Sequence, residues 1–355
     1  MSLVHARAAR AAGAQLVGVA SRTSGGAESA RRQFGVERAY PTLEDLLADD
    51  RVDVVHVCSP NQTHAAIAQA ALAAGKHVIC EKPLATSVIE AGELVRFAAG
   101  SSAVATVPFV YRFHPMVREA RARIRQGRAG RIFSIHGSYL QDWLASAADD
   151  DWRVDLQHGG PSRAFADIGS HLCDLIEFVT DDRIVALCSR VRTVHADRVR
   201  NKNISTEDIV TLVFETAGGV VGTLHVSQVA AGHKNALSSE IAGENASLVF
   251  DQETPDFLRV GTKDGFLTSM RAGDISAEAA RYSLVPAGHP QGYQDAFNAF
   301  VADTYRAVNG DTPDGLPTFE DGYRAAVLTE AVLRSHQTGA WVETPFHAPS
   351  LSLTP

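Results

Sequence analysis

No two of the four cysteines (Cys58, Cys80, Cys173 and Cys188) stand at the Cys-x-x-Cys spacing of structural zinc sites. A disulfide framework is equally unexpected. Cys58 and Cys80 end apolar runs that read as strands, as small reduced residues do in a cytosolic protein. There is no apolar run approaching the ~20 residues of a membrane span. The opening Met1-Ser2-Leu3-Val4-His5 lacks the layout of a signal peptide. An excess of basic residues is also missing. A net charge of -8 at pH 7 argues against nucleic acid as a partner, because phosphate binding needs a basic face. Internal repeats and low-complexity tracts are not visible. What remains is an ordinary globular composition: 355 residues, 45% hydrophobic and 21% charged, enough for two domains with large cores. The expectation is a cytoplasmic protein with neither nucleic-acid nor membrane partners.

As far as about Phe109, apolar strand-like runs alternate with helical patterns. Gln15–Ala20, Val52–Cys58, His77–Cys80 and Ala103–Pro108 read as strands. Val4–Ala12, Ala27–Phe34, Leu43–Ala48, Thr63–Ala74 and Val88–Ala99 read as helices. That alternation predicts βαβ units and a parallel sheet buried on both faces. After about His114 the rhythm changes. A helix over Pro115–Gln126 precedes Ile132–Tyr139, which alternates apolar and polar residues as a half-buried strand does. Val185–Val194, Glu207–Glu215, Val220–Gln228 and Leu237–Ile241 look similar, and Thr216-Ala217-Gly218-Gly219 suits a hairpin turn. Strands in succession predict a large, mostly antiparallel sheet, with an open face for substrate or a second subunit. Helix returns over Tyr293–Val308 and Phe319–Thr338, and residues 348–355 read as a frayed tail. The boundary between the α/β half and the α+β half falls near residues 110–118.

The segment Gly75-Lys76-His77-Val78-Ile79-Cys80-Glu81-Lys82-Pro83-Leu84 carries the most information. Pro83 cannot donate to a ladder, so pairing stops there. Lys82 is thereby delivered to the carboxyl edge of a sheet, where open α/β proteins bind ligands. A second constellation runs from His158-Gly159-Gly160 to Asp174. Asp167 and His171 are four apart and share a helix face, with Asp174 three further on. A carboxylate and an imidazole on one face can hold a hydroxyl and take its proton. Alone, Asp167 reads as well as a charge on the helix dipole, and His171 as a core histidine. The residue types also allow zinc, on weak spacing evidence. In Cys58-Ser59-Pro60-Asn61-Gln62-Thr63-His64, Asn61 or Thr63 can cap the following helix. Tyr139, Gln141, Asp142, Trp143, Trp152 and Arg153 mix rings with polar tips, as sugar sites do, though each suits a core or an interface equally.

GKHVICEKPLA at residues 75–85 resembles a signature of the glucose-fructose oxidoreductase/inositol dehydrogenase/rhizopine-catabolism family of NAD(P)-dependent sugar and cyclitol dehydrogenases. Residues 158–174 resemble that family's GG-x-D-x-G-x-H-x-x-D pattern, and the likeness spans nearly the whole chain. It implies a Rossmann-like domain over residues 1–114 and an α+β substrate and oligomerisation domain over 115–355. It implies that Lys82, Asp167 and His171 are catalytic, with no metal. Ser21, Arg22, Cys58, Ser59, Pro60, Asn61, His64, Glu81, Lys82 and Arg112 are then expected along the cofactor. Lys82, Tyr139, Trp143, Trp152, Arg153, Asp167 and His171 are expected at the substrate. Ser21-Arg22 stands where NAD enzymes usually place an acidic residue, which favours NADP over NAD. The implied reaction oxidises a secondary alcohol, with His171 as general base and Lys82 polarising the oxygen. Net-neutral chemistry on retained NAD is a related reading, and a non-catalytic sugar or dinucleotide sensor is the alternative from another class. A homodimer or homotetramer is expected.

One departure stands at the front. Family members open with a strand and a G-x-G-x-x-G turn, whereas this sequence starts inside the helix that follows. The strand order 3-2-1-4 puts that strand between residues 15–20 and 52–58, leaving two unpaired edges there. Residues omitted from the sequence, a gene start placed too late, or a rebuilt sheet would each explain this. Weak dinucleotide binding by residues 1–355 is the matching expectation, with binding regained when the front is restored.

Overall fold

A computed structural model describes residues 1–271, 273–286 and 288–345, so the expected tail over 348–355 lies outside the described residues. Up to Thr106 the order is α1 (Ser2–Ala11), β1 (Gly18–Ala20), α2 (Ser24–Phe34), β2 (Arg38–Tyr40), α3 (Leu43–Leu47), β3 (Val54–Val57), α4 (His64–Ala73), β4 (His77–Cys80), α5 (Val88–Ala99) and β5 (Ala105–Thr106). Local chemistry sets the ends. The hydroxyls of Thr23, Thr42 and Ser87 accept backbone N–H groups at the starts of α2, α3 and α5. Gly35, at φ 60°, closes α2 in a left-handed cap. Val78, Ile79 and Cys80 of β4 have no exposed surface, as a strand covered on both faces requires. β3, β4 and β5 form one parallel sheet, and β1 and β2 a separate parallel pair. Among the described residues no ladder joins β1 to β3, the place where the resemblance puts a further strand.

The second half comprises α6 (Pro115–Arg125), β6 (Ile132–Leu140), α7 (Leu156–Gly159), α8 (Ser170–Thr180), β7 (Ile184–Arg192), β8 (Ile209–Thr216), β9 (Val221–Ser227), β10 (Ala236–Gly243), β11 (Ser247–Asp251), β12 (Phe257–Thr262), β13 (Gly265–Met270), α9 (Ala277–Ala280), α10 (Tyr293–Val308), α11 (Phe319–Thr338) and β14 (Val342–Glu343). Its nine strands run in the order β13-β12-β11-β10-β6-β9-β8-β7-β14, antiparallel except for the β6–β9 pair. Alternation sorts the faces. Val210, Leu212 and Phe214 of β8 are buried against α6, α8 and α11, while Thr211, Val213 and Glu215 face outward. The expected hairpin joins β8 to β9.

Two features depart from the linear reading. β11, β12 and β13 extend the sheet beyond the strand expected at Leu237–Ile241, and β13 is exposed along most of its length. An edge strand has no second neighbour to bury it, so it lacks a strong apolar alternation. The last helices also return to the first sheet. Phe319 and Tyr323 pack with Val57, Val78 and Leu94, and Phe297 and Phe300 pack with Ala8 and Ile79.

Candidate active site

Val57 and Cys80 sit level at the ends of β3 and β4. The residues after both strands line a cleft of about 450 Å³, together with residues of β6, α8 and the loops beside them. That volume is in the range of ligand sites, roughly 300–1,000 Å³.

Lys82 is fixed at both ends. Its backbone N–H donates to Glu81 Oε2 at 3.1 Å. Its Nζ donates to Asp167 Oδ1 at 2.5 Å and to the Asp167 carbonyl at 2.7 Å. An ammonium carries three N–H groups, and the third has no partner among the described residues. Asp167 Oδ2 accepts from Gln228 Nε2 at 2.8 Å, so the carboxylate cannot swing away. Burial raises the Asp167 pKa, but Lys82 and Arg153 outweigh it and hold it at about 2.

His171 lies one turn beyond Asp167, just past a π-helical turn at Phe165–Gly169 that leads into α8. Gly169 is required there, because a Cβ would stand 2.4 Å from the Phe165 ring. The His171 ring is wedged edge-on between Phe109 and Tyr111, with centroids 5.6 and 5.1 Å away. Burial and then Lys82 depress its pKa to about 3, against Asp167 and Glu81. It is therefore a neutral imidazole at physiological pH. Its Nδ1 is buried with no hydrogen-bond partner among the described residues. Such a nitrogen costs ~1–3 kcal/mol, which a ligand group can relieve.

Cys58, Ser59, Pro60, Asn61, His64 and Glu81 line the cleft, and so do Tyr139, Trp152 and Arg153 together with Lys82, Asp167 and His171. Arg153 lies over the Trp152 ring at 4.5 Å and donates to Asp151 at 3.0 Å. Neither expected cap of α4 forms. Asn61 instead donates to the Gly159 carbonyl at 3.0 Å, and Thr63 donates back to Ser59 at 2.6 Å. Buried His64 places Nδ1 2.7 Å from the Pro83 carbonyl and Nε2 2.9 Å from that of Ser59, bracing both strand ends.

Other expected residues lie elsewhere. Arg112 is not at the cleft. It is buried between Asp174 and Asp321, donating to Asp174 through Nε at 2.9 Å and through Nη2, and to Asp321 at 2.7 Å. This pairing also takes Asp174 away from Asp167 and His171, so the three do not converge on a metal. Trp143 donates to Gln141 at 2.8 Å and packs on Leu144, Val154 and Ile204 instead of lining the cleft. Ser21 and Arg22 are exposed at the end of β1, outside the cleft lining.

The linear reading misses Gln228, Asn235, Tyr111 and Tyr293. Asn235 Oδ1 accepts from Tyr139 at 2.7 Å and from Gln141 at 2.9 Å, and its amide donates to the Tyr111 hydroxyl at 3.2 Å. The one available signal was their position: Gln228 and Asn235 flank the loop that leads from β9 to β10.

Residues 1–109 match the oxidoreductase family with an NAD-binding Rossmann fold, and residues 117–249 match a glucose-fructose oxidoreductase/inositol dehydrogenase/MocA C-terminal domain. Levoglucosan dehydrogenase of Pseudarthrobacter phenanthrenivorans is 31% identical over 90% of this chain and 86% of that protein. Inositol 2-dehydrogenase 1 of Saccharopolyspora erythraea is 28% identical over 94% of this chain and 89% of that protein. A solved levoglucosan dehydrogenase, in complex with NADH and levoglucosan, superposes with a TM-score of 0.91 at 29% identity, covering 98% of this chain and 97% of that one. An oxidoreductase domain protein from Kribbella flavida gives 0.89 at 32%, over 97% and 96%. Likeness sustained along nine-tenths of the chain, on the same two-sheet fold, leads to one conclusion: the chain belongs to the glucose-fructose oxidoreductase/inositol dehydrogenase/MocA family and is an NAD(P)-dependent oxidoreductase.

Proposed function

We propose that this chain oxidises a secondary alcohol of an uncharged sugar, sugar derivative or cyclitol. The observation that carries the reading is the Lys82–Asp167 pair beside the neutral His171, whose Nδ1 has no partner among the described residues, at the edge where β3 and β4 end. The substrate hydroxyl takes the third Lys82 N–H, which polarises its oxygen and stabilises the developing alkoxide. His171 accepts the hydroxyl proton as general base. Growing alkoxide charge offsets the Lys82 cation, so His171 becomes a stronger base as the reaction proceeds. Asp167, held between Lys82 and Gln228, keeps the ammonium in place. A nicotinamide coenzyme, when bound, would supply the hydride acceptor that turns the alcohol into a ketone. Cys58, Ser59, Pro60, Asn61, His64 and Glu81 would hold the cofactor, because they line the cleft just beyond the ends of β3 and β4.

Tyr139, Trp152, Arg153, Gln141 and Asn235 offer a ring face and several donors and acceptors for the remaining hydroxyls. Two side-chain cations of the cleft are paired, Lys82 with Asp167 and Arg153 with Asp151, which favours an uncharged substrate. The levoglucosan and inositol dehydrogenases among the relatives support that class.

For the cofactor, Ser21 and Arg22 favour NADP. The first turn of α2 beside them holds no acidic residue to repel a 2′-phosphate. Fluorescence titration should give tighter binding of NADPH than of NADH. Arg22→Asp should weaken NADPH by ~10-fold or more, as for a charged hydrogen bond of ~1.5–3 kcal/mol, and leave NADH unchanged. Preference for NADH in both forms would refute this assignment. The open sheet face, with Phe133, Val213 and Val221 exposed, would receive a second copy in a homodimer or homotetramer. Four free thiols, and no helix among the described residues able to cross a membrane, support a cytoplasmic setting.

A further inference from the structure

Behind Glu81, a chain of side chains leads away from the cleft. Glu81 is buried, with Oε2 bound to the Lys82 backbone N–H and Oε1 2.9 Å from His5 Nε2. His5 Nδ1 lies 2.9 Å from His56 Nδ1, and His56 Nε2 lies 2.9 Å from the Tyr305 hydroxyl. His5 itself is 2% exposed, with its ring edge-on to Phe297.

Two imidazoles facing through Nδ1 atoms share one proton. An imidazolium at His5 completes the chain: Nε2–H to Glu81, Nδ1–H to His56, and His56 Nε2–H to Tyr305. A neutral His5 completes it too, with each bond beyond Glu81 reversed. The choice falls to charge. A buried carboxylate without a counter-ion costs several kcal/mol, and the adjacent Lys82 ammonium is already committed to Asp167.

We propose that His5 is a positioning residue of the active site: its imidazolium is the fixed counter-ion of Glu81 and shields His171 from the Glu81 charge. The second half of this statement rests on the dehydrogenase reading above. The titratable groups that face Glu81 are His5, Lys82, His64, His171, Cys80 and Tyr293. Those that face His5 are Glu81, His56 and Cys58. His171 meets Lys82, Asp167 and Glu81, with the Tyr111 ring beside it. Burial works against a charge on His5, yet Cys58 and Glu81 outweigh it and hold its pKa at about 10. Burial, then the His5 cation, lowers His56 to about 3, so the two rings do not compete for charge.

Removing the His5 charge leaves the Glu81 field unopposed, and at His171 that field acts to raise the pKa. That field favours protonation of His171, or of Glu81 itself, so either route moves the acid limb of turnover to higher pH. His5→Gln retains an N–H for Glu81 but no charge. Its acid limb in kcat/KM should shift upward by one pH unit or more, and the His5→Gln/Glu81→Gln pair should bring the limb back. An unmoved limb in His5→Gln overturns the shielding role.

Nitrogen NMR of histidine-labelled wild-type chain reads the ring without any turnover. One imidazole, assigned by its loss in His5→Gln, should carry both protons through pH 8 and become neutral in Glu81→Gln. A neutral His5 at pH 7 overturns the proposal. Loss of the imidazolium in Cys58→Ala with its survival in Glu81→Gln would also overturn it, by naming Cys58 as the counter-ion. If no polyol turns over in wild type, the dehydrogenase reading fails while the NMR result still decides the His5 charge.

Discussion

Lys82→Ala should lower kcat/KM for any polyol substrate by ~10³-fold while leaving NAD(P)H affinity nearly unchanged. Two losses combine. The alkoxide loses a preorganised cation, an effect of about 2.7–4 kcal/mol for one oxyanion donor in a dry site. Asp167 also loses its ion-pair partner beside His171. His171→Ala should lose ~10²–10⁴-fold by removing the general base. The double variant should be little worse than the more damaged single one, because the two groups act on one oxygen as a unit. Steady-state kinetics alongside coenzyme titration checks all three. Near-normal turnover in both single variants would remove these roles.

The largest expected loss of stability lies away from the cleft. Arg112 joins the segment after β5 to α8 through Asp174 and to α11 through Asp321, and it also lies 5.1 Å from the Phe178 ring. Arg112→Met keeps much of the volume and strands two carboxylates. Breaking one side of a buried ion pair costs about 3–5 kcal/mol, which corresponds to a fall in Tm of roughly 10 °C for a chain of this kind. The loss should depend on pH. Burial pushes Asp174 up to about 7 in spite of Arg112, with Asp321 and Glu177 adding to the rise. A carboxyl raised on folding contributes stability below its ordinary pKa of about 3.9, and this is lost as pH rises through its folded value. Without Arg112 the Asp174 pKa rises further. The Tm deficit should therefore be smallest near pH 4 and grow through pH 7 and above. A constant deficit across that range would show that the carboxylates are not its cause.

Local signals carried much of the fold and part of the site. β4 is legible because a strand covered on both faces is apolar throughout, and Pro83 marks its end. Alternation reveals β8 and β9 because only one of their faces is buried. β13 is not legible, since most of its residues are exposed and nothing distinguishes it from a loop. The return of α10 and α11 to the first sheet is also hidden: their apolar faces fit either sheet equally well on paper. At the site, Lys82 and His171 stand out because their motifs are short and local. Arg112 does not, because its true partners lie 62 and 209 residues away. Its charge suggested a cofactor contact, whereas burial made it one half of an ion pair. Trp143 looked like a sugar-stacking ring and instead packs on Leu144 and Val154. Gln228 and Asn235 are ordinary polar residues until the sheet register carries them to Asp167 and Tyr139.

The central claim is alcohol oxidation at Lys82 and His171, and coenzyme reduction tests it most directly. Wild-type protein would be mixed with NADP⁺ or NAD⁺ and a panel of levoglucosan, myo-inositol and D-xylose, and nicotinamide absorbance followed over time. The account predicts reduction of coenzyme with at least one of these polyols, and its loss in Lys82→Ala. Coenzyme that binds by fluorescence titration, yet is reduced with no polyol, would contradict the account and favour a sugar-sensing role.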